Sequence, residues 1–404
     1  MIFDTKPLDD IEESDLQALL ANPVPERKRI EYKSELPTDK FKDRKEFLAD
    51  VSSFANTVGG YLLYGVKEED GMPVEICGVL VESVDAIKLK WEGMLRDGLS
   101  LRLPHIDIHE VKLSTGKWVM ILRIPRSWLA PHRVTLENHG QFYGRTSARH
   151  FQMDVPQLRT AFELSGSLTE RIRDFRADRL SKISAGEIPT PLHETMAKIV
   201  FHLVPFGAFE PSARFDLDPL ALPEKRRVIT PLMLGMNEHE ALNHCRYRFN
   251  FDGLLNYAQW APDLPVVAYL QVFRNGIVEG VDVSVLKANT FQQIPSILFE
   301  QVLCYALSLY LQTQKTLGVD LPIFLMISLL GVKDYTMGIA QTYYGQDYPI
   351  DRPDLMMPEV MIDHFNCDPA EVMKPIFDSV WNAAGRNGSM NYDAAGKWKL
   401  QKLG

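Results

Sequence analysis

The chain has 404 residues, 46% hydrophobic and 24% charged, with 53 acidic against 44 basic side chains and a formal net charge of −9. That length predicts two domains, and the composition excludes a largely disordered chain. The acidic balance excludes a protein that coats nucleic acid through its overall field, but leaves room for a local basic patch.

Four cysteines, Cys77, Cys245, Cys304 and Cys367, stand far apart without a CxxC pair. They indicate neither a zinc site nor a disulfide framework, and read as reduced, mostly buried thiols. The N-terminus lacks the apolar run of a signal peptide. Ile294–Leu311 contains Glu300 and Gln301, and Leu321–Val332 falls short of the roughly 20 residues of a membrane span, so both read as buried core. The expectation is a cytoplasmic chain without a membrane partner.

In chain order, residues 8–21 read as a short acidic helix ended by Pro23 and Pro25, and Ile30–Lys33 as a half-buried strand. Phe47, Leu48, Val51, Phe54 and Ala55 then form an apolar stripe of helical period, with Lys42, Arg44, Lys45, Glu46 and Asp50 assigned to other positions. Asn56 and Gly59-Gly60 end this helix, and a buried strand follows. Glu68–Gly71 reads as a turn. Next come a strand near Val74–Val79, a helix at Val84–Leu99 and strands at His105–Leu113, Trp118–Pro125 and Gln141–Arg145. Helices follow at Val155–Leu164 and about Leu168–Ile183. Ser184–Pro191, with its Gly and Pro residues, is the linker candidate.

Beyond it the pattern predicts a helix near Leu192–Leu203, then strands at Arg246–Asn256 and Val266–Phe273. A hairpin turn at Asn275-Gly276 returns the chain through Ile277–Val285. A buried helix at Ile297–Thr313, a buried strand at Ile323–Leu330 and a last helix near Met373–Ala384 complete the chain. The fold class read from this order is α+β in two domains. Residues 1–165 form the first, 166–190 a helix and linker, and 191–404 a second α+β domain for assembly or sensing.

The most informative unit is Glu26-Arg-Lys-Arg-Ile-Glu31-Tyr-Lys33, followed by Phe54-Ala-Asn-Thr-Val-Gly-Gly60 and by Gly65-Val66-Lys67-Glu68. Trp118–Ser127, ending in Pro125-Arg-Ser127, and Phe142-Tyr-Gly-Arg145-Thr-Ser147 extend it. Together these resemble the Schlafen/AlbA-type nucleic-acid-binding domain over roughly residues 20–165. The usual pattern there has Glu-Phe-Lys, Phe-Ala-Asn-Thr-x-Gly-Gly, Gly-Val-x-Asp and Tyr-x-x-Arg-x-Gly-Ser elements. Two positions depart from it: Tyr32 stands for Phe, and Glu68 for Asp, one methylene longer.

The residues themselves suggest that Glu26, Glu31 and Glu68 could gather at one sheet end, and hard cations such as Mg²⁺ or Mn²⁺ prefer carboxylate oxygens. A bound ion activates water and neutralises charge developing on a phosphodiester. The resemblance implies the same roles, since some Schlafen proteins use two glutamates five apart plus a later acidic residue to cut structured RNA. Lys33 would then contact a phosphate or stabilise the transition-state charge, and Arg145 would clamp a backbone phosphate, within a surface including Arg27, Lys28, Arg29, Lys42, Arg44 and Lys45. In the competing reading these glutamates are partners of nearby cations and Glu68–Asp70 is a solvated turn.

Two weaker patterns remain. His105, Asp107 and His109 share one strand face with metal-compatible chemistry, though a polar outer face explains them as well. Gly60–Lys67 lacks the Gly-Lys-Ser/Thr ending of a phosphate-binding loop. The expectation is therefore an RNA- or DNA-binding protein, as a metal-dependent endoribonuclease working as a homo-oligomer. The alternatives are a non-catalytic DNA-binding regulator with a C-terminal sensor, or a protein-binding scaffold.

Overall fold

In a computed structural model the described residues are 6 and 8–400, apart from 27–28, 104–105, 128, 138–139, 147–148, 194–196, 211–212, 233–243, 262, 287–291, 339–347 and 394. The chain divides into two compact units, Met1–Leu168 and Thr169–Gly404. Both are α+β, and the division falls within one helix, upstream of the Gly- and Pro-containing stretch 184–191.

Unit 1 opens with a short helix, α1 (Glu13–Ala21). Strand β1 (Ile30–Lys33) leads to helix α2 (Phe41–Ala55) and strand β2 (Gly60–Tyr64). The tight αβ connection depends on Gly59, whose φ of +68° suits a residue without a side chain. A Cβ there would lie 2.8 Å from both the Arg126 amide nitrogen and the Ile124 carbonyl oxygen. The expected turn at 68–71 is the tip of a small hairpin, β3 (Lys67–Glu69) and β4 (Met72–Glu75).

Helix α3 (Val84–Gly98) follows, its first turn capped by Ser83, whose hydroxyl accepts from the Ala86 amide. The remaining strands are β5 (Leu99–Ser100), β6 (Asp107–Lys112), β7 (Trp118–Ile124), β8 (Arg133–Val134), β9 (Gln141–Arg145) and β10 (His150–Gln152). They form two four-stranded sheets, ordered β1-β2-β7-β6 and β10-β9-β8-β5. Helix α2 packs between them, burying Phe47, Leu48, Val51 and Phe54 against Trp91, Leu122, Val134 and Tyr143. The apolar stripe read from the sequence is therefore the keel of this unit.

Where two helices were expected, one continuous helix, α4 (Val155–Ala185), carries the chain into unit 2. There, Lys198–Pro205 is strand β11, not the helix expected over Leu192–Leu203. Ile199, Val200, Phe201, Leu203 and Val204 are buried on both faces of a central strand, and a continuous β-branched apolar run suits that site better than a helix. The strand expected over Arg246–Asn256 is two, β12 (Cys245–Phe249) and β13 (Gly253–Ala258). The Asn250 side chain accepts from the Gly253 amide and turns the chain between them.

Strands β14 (Ala268–Phe273) and β15 (Val278–Asp282) flank the expected Asn275-Gly276 turn. A short strand β16 (Gln293–Pro295) precedes helix α5 (Ser296–Thr316). Then come β17 (Ile323–Leu330), β18 (Thr336–Gly338), β19 (Asp354–Met356), β20 (Val360–Ile362) and helix α6 (Pro369–Ala383). The main sheet is antiparallel and ordered β12-β13-β14-β15-β11-β17-β19, with β20 also on β17. The long apolar helix and strand β17, both read from the sequence as buried, lie in one core with α6. Among the described residues no helix is long and apolar enough to cross a membrane.

Unit 2 buries charge under this sheet. Glu279 is fully buried and accepts two hydrogen bonds from Arg179, at 2.7 and 2.8 Å, one from Tyr269 at 2.9 Å and one from His202 at 3.0 Å. Burial alone would raise its carboxyl, yet Arg179 and His202 outweigh it and hold the group at about 2. Among the described residues no cation pairs with Asp282. It accepts from the Ser284 amide and hydroxyl and the Val285 amide, and burial pushes it up to about 7.

The native state thus holds a proton on Asp282 that the unfolded chain releases near pH 4. The stability this contributes is complete below about pH 4 and is lost as pH rises through about 7. Asp282→Asn is expected to remove a pH dependence on the order of 3 kcal/mol from unit 2, read as urea midpoints at pH 5 and pH 8. An unchanged difference between the two midpoints would contradict the assignment.

Candidate nucleic-acid interface and its buried ion network

Strand β1 alternates so that Glu31 and Lys33 share one face, toward α2. There, Arg145 Nη2 of β9 donates to Glu31 Oε2, and Lys33 Nζ lies 3.0 Å from Glu31 Oε1. Lys33 also reaches Glu46 Oε1 at 2.9 Å and Asp50 Oδ2 at 3.4 Å, both on α2. Asp50 Oδ1 accepts from His150 Nδ1 of β10 at 2.7 Å and lies 3.9 Å from Arg145 Nη1. The Arg145 guanidinium stacks on the Phe54 ring, 4.1 Å from its centroid.

Burial opposes the charge on Glu31, but Arg145 and Lys33 together hold its carboxyl below the usual range. Burial likewise opposes the Lys33 ammonium, and Asp50 and Glu31 outweigh it and raise the group above its ordinary value. Asp50 is a correction: assigned off the apolar stripe, it is fully buried, because it shares a helix face with Phe47 and Phe54. A carboxylate at such a position calls for a cation, and that was the signal available in the sequence.

The other glutamates stand differently. Glu26 is half-buried, and its Oε1 accepts from the Tyr32 amide at 2.9 Å. Burial raises its carboxyl, and the charges of Glu31 and Glu68 raise it further. Glu68 is exposed and accepts from the Gly71 amide at 2.6 Å, capping its own turn. Among the described residues no group of three His, Cys, Asp or Glu side chains is placed to hold a metal ion. As the side chains stand, the glutamates do not fit one, because Glu31 is taken by cations.

Arg145, expected as a phosphate clamp, is buried inside the network and faces Glu31 and Asp50 instead of solvent. Arg29 is exposed just ahead of β1, Lys42 is exposed, and Arg44 and Lys45 are half-buried on the first turns of α2. Arg27 and Lys28 lie outside the described residues. Arg96 and Arg102 join this surface: Asp97, bonded to Arg96, has its carboxyl lowered by that bond and also by the charges of Arg102 and Arg44. Of the His-Asp-His pattern, His105 is outside the described residues, Asp107 pairs with Arg123 at 3.5 Å, and His109 Nε2 meets the Ile11 carbonyl at 3.1 Å.

Asn56 does more than end α2. Its amide donates to the His132 and Tyr143 carbonyls at 3.0 and 2.9 Å and accepts from the His132 amide at 2.6 Å, fastening the helix end to β9. The Phe-Ala-Asn-Thr-x-Gly-Gly run is thus a packing device. It supplies a ring under Arg145, a side-chain clamp and a turn without Cβ atoms.

The Schlafen AlbA_2 family model matches residues 26–154. No curated protein matches the chain. Among solved structures, the N-terminal domain of a RecG-related protein from Nitrosomonas europaea is 25% identical, covering 34% of this chain and 88% of that one, with a TM-score of 0.25. A protein from Corynebacterium diphtheriae is 15% identical over 35% of this chain, with a TM-score of 0.25, and the match spans about a quarter (26%) of that structure.

Removing Arg145 would leave buried Glu31 with Lys33 alone and Asp50 with Lys33 and His150. Arg145→Ala is expected to cost about 3–5 kcal/mol of unit-1 stability in urea denaturation. The Glu31 contribution is present above about pH 4.5 and lost as pH falls through its lowered value, so the variant should also lose part of the acid limb of the stability profile. A loss under about 1 kcal/mol would show that the network is not structural.

Proposed function

Since residues 26–154 form a Schlafen AlbA_2 domain, we propose that this chain binds nucleic acid, its first unit gripping the sugar–phosphate backbone of RNA or DNA. What supports binding ahead of cutting is the position of Glu31, both of whose oxygens are held by cations. On a chain of net charge −9, attachment to phosphate has to come from a local set of cations. Lys42, Arg44 and Lys45 on α2, with Arg96 and Arg102 nearby, supply one. None of the four cysteines is joined in a disulfide, which suits a reducing compartment such as the cytoplasm.

Replacing Lys42, Arg44 and Lys45 together by Gln is expected to weaken binding of an RNA hairpin or a DNA duplex about tenfold or more. The slope of log affinity against log salt should fall by roughly 0.7–0.9 for each phosphate that the variant no longer neutralises, read by fluorescence anisotropy. Unchanged affinity and slope would move the interface elsewhere, and no salt-sensitive binding by the native chain would favour a protein-binding scaffold.

One observation favours a second reading, divalent-metal-dependent cleavage of structured RNA. Burial raises the Glu26 carboxyl and the charges of Glu31 and Glu68 add to it, so the three share one electrostatic environment that a cation such as Mg²⁺ or Mn²⁺ would relieve. This reading requires Glu31 to leave Arg145. It predicts Mn²⁺-dependent cutting, abolished by EDTA and by Glu26→Gln or Glu68→Gln, neither of which disturbs the buried network. Binding without cutting, indifferent to EDTA, contradicts it and suits a DNA-binding regulator. In either reading a homo-oligomer would complete the cleft with a second copy, and light scattering that shows a strict monomer contradicts that arrangement.

A further inference from the structure

Among the described residues strand β12 ends the main sheet of unit 2, and four consecutive residues on it, Arg246, Tyr247, Arg248 and Phe249, are exposed. Sheet edges are ordinarily blunted by charge, and two arginines serve that purpose here, but exposed aromatic rings between them do not. Tyr247 is 39% and Phe249 44% exposed, and Phe251, in the turn that follows, is 96% exposed. Exposed rings in such a run need a reason.

The register separates the two residue types. Arg246 and Arg248 stand opposite Tyr257 and Leu255 of β13 on one face, and Tyr247 and Phe249 opposite Asn256 and Leu254 on the other. On the aromatic face the Arg226 guanidinium stacks on the Tyr247 ring at 4.8 Å, and Arg226 Nη2 donates to the Tyr247 hydroxyl at 3.0 Å. Arg226 belongs to a 3-10 segment, Pro223–Ile229, that also carries Lys225 and Arg227. Across this segment and residues 245–253 there are five cations, against the carboxylates of Glu224 and Asp252 only. The patch is therefore positive on a negative protein.

We propose that this edge of unit 2 is a binding site for single-stranded nucleic acid. Residues two apart on a strand are roughly 6.7 Å apart, so Tyr247 and Phe249 leave room for one base between their rings at ordinary stacking distance. Rings stack on bases of any sequence, and Arg226, which lies on the ring face beside Tyr247, meets a phosphate. Charge complementarity favours this occupant over a second copy of the chain, which would set this cationic edge against its own like. The proposal rests on the reading of the chain as a nucleic-acid-binding protein, but on a different unit and different side chains.

The test is fluorescence anisotropy of the full chain with single-stranded RNA and DNA 15-mers and, in parallel, with the RNA hairpin and the DNA duplex. Single changes Tyr247→Ala, Phe249→Ala and Phe251→Ala lie on the surface and should leave thermal melting intact. Each of the first two is expected to weaken single-strand binding about tenfold, while Tyr247→Trp and Phe249→Trp retain it. Arg226→Gln should lower the salt slope on single strands and leave the duplex slope unchanged.

Single-strand affinity unmoved by the aromatic changes would overturn the proposal, as would a shift in sedimentation from dimer to monomer with affinity intact, which would make the edge a self-association surface. Loss of duplex and hairpin binding in the unit-1 triple variant, with edge variants silent, would leave the unit-1 reading standing and remove this one. The converse result would do the reverse.

Discussion

The ion pair of Glu31 with Arg145, extended through Lys33 to Asp50 and His150, is the constraint on which unit 1 depends. It joins β1, α2, β9 and β10, pieces far apart in sequence, and it exists only when all are in place. A buried carboxylate without its cation costs several kcal/mol, so partly assembled arrangements are disfavoured and the complete one is specified. The ring of Phe54, the amide of Asn56 and the turn at Gly59-Gly60 all hold α2 where this network needs it.

Much of this unit was readable from residue pattern alone. The apolar stripe of α2, the Gly-Gly turn and the buried strand after it follow from helical period and backbone freedom, and these are local properties. The role of Arg145 was not readable, because a sequence does not say whether an arginine on a strand meets a phosphate or a buried carboxylate. Asp50 was misplaced for the same reason: its neighbours Phe47 and Phe54 mark an inward face, but its partners are Lys33, 17 positions before it, and His150, 100 positions after it.

In unit 2 the errors have a common physical source. Lys198–Pro205 is apolar at nearly every position, so it carries no period to separate a buried helix from a central strand, and only its β-branched content points to the latter. The hairpin between β12 and β13 was hidden because the turn residues 250–252 include Phe251, which reads as strand until its exposure is known. Glu279 and His202 lie within apolar strands and find each other only through the register of β11 and β15. Local chemistry thus placed most elements, whereas the charged centres required the sheet.

The central claim is that the signature carboxylate Glu31 serves the fold of unit 1, the unit proposed to bind nucleic acid. A double-mutant cycle on Glu31→Gln and Arg145→Met, read by urea denaturation with hairpin-RNA affinity measured on the same proteins, tests it most directly. The account predicts a coupling energy of about 1–3 kcal/mol, with the double variant more stable than either single one and still binding RNA. Additive stability losses, with RNA binding or cutting abolished whenever Glu31 is changed, would contradict it.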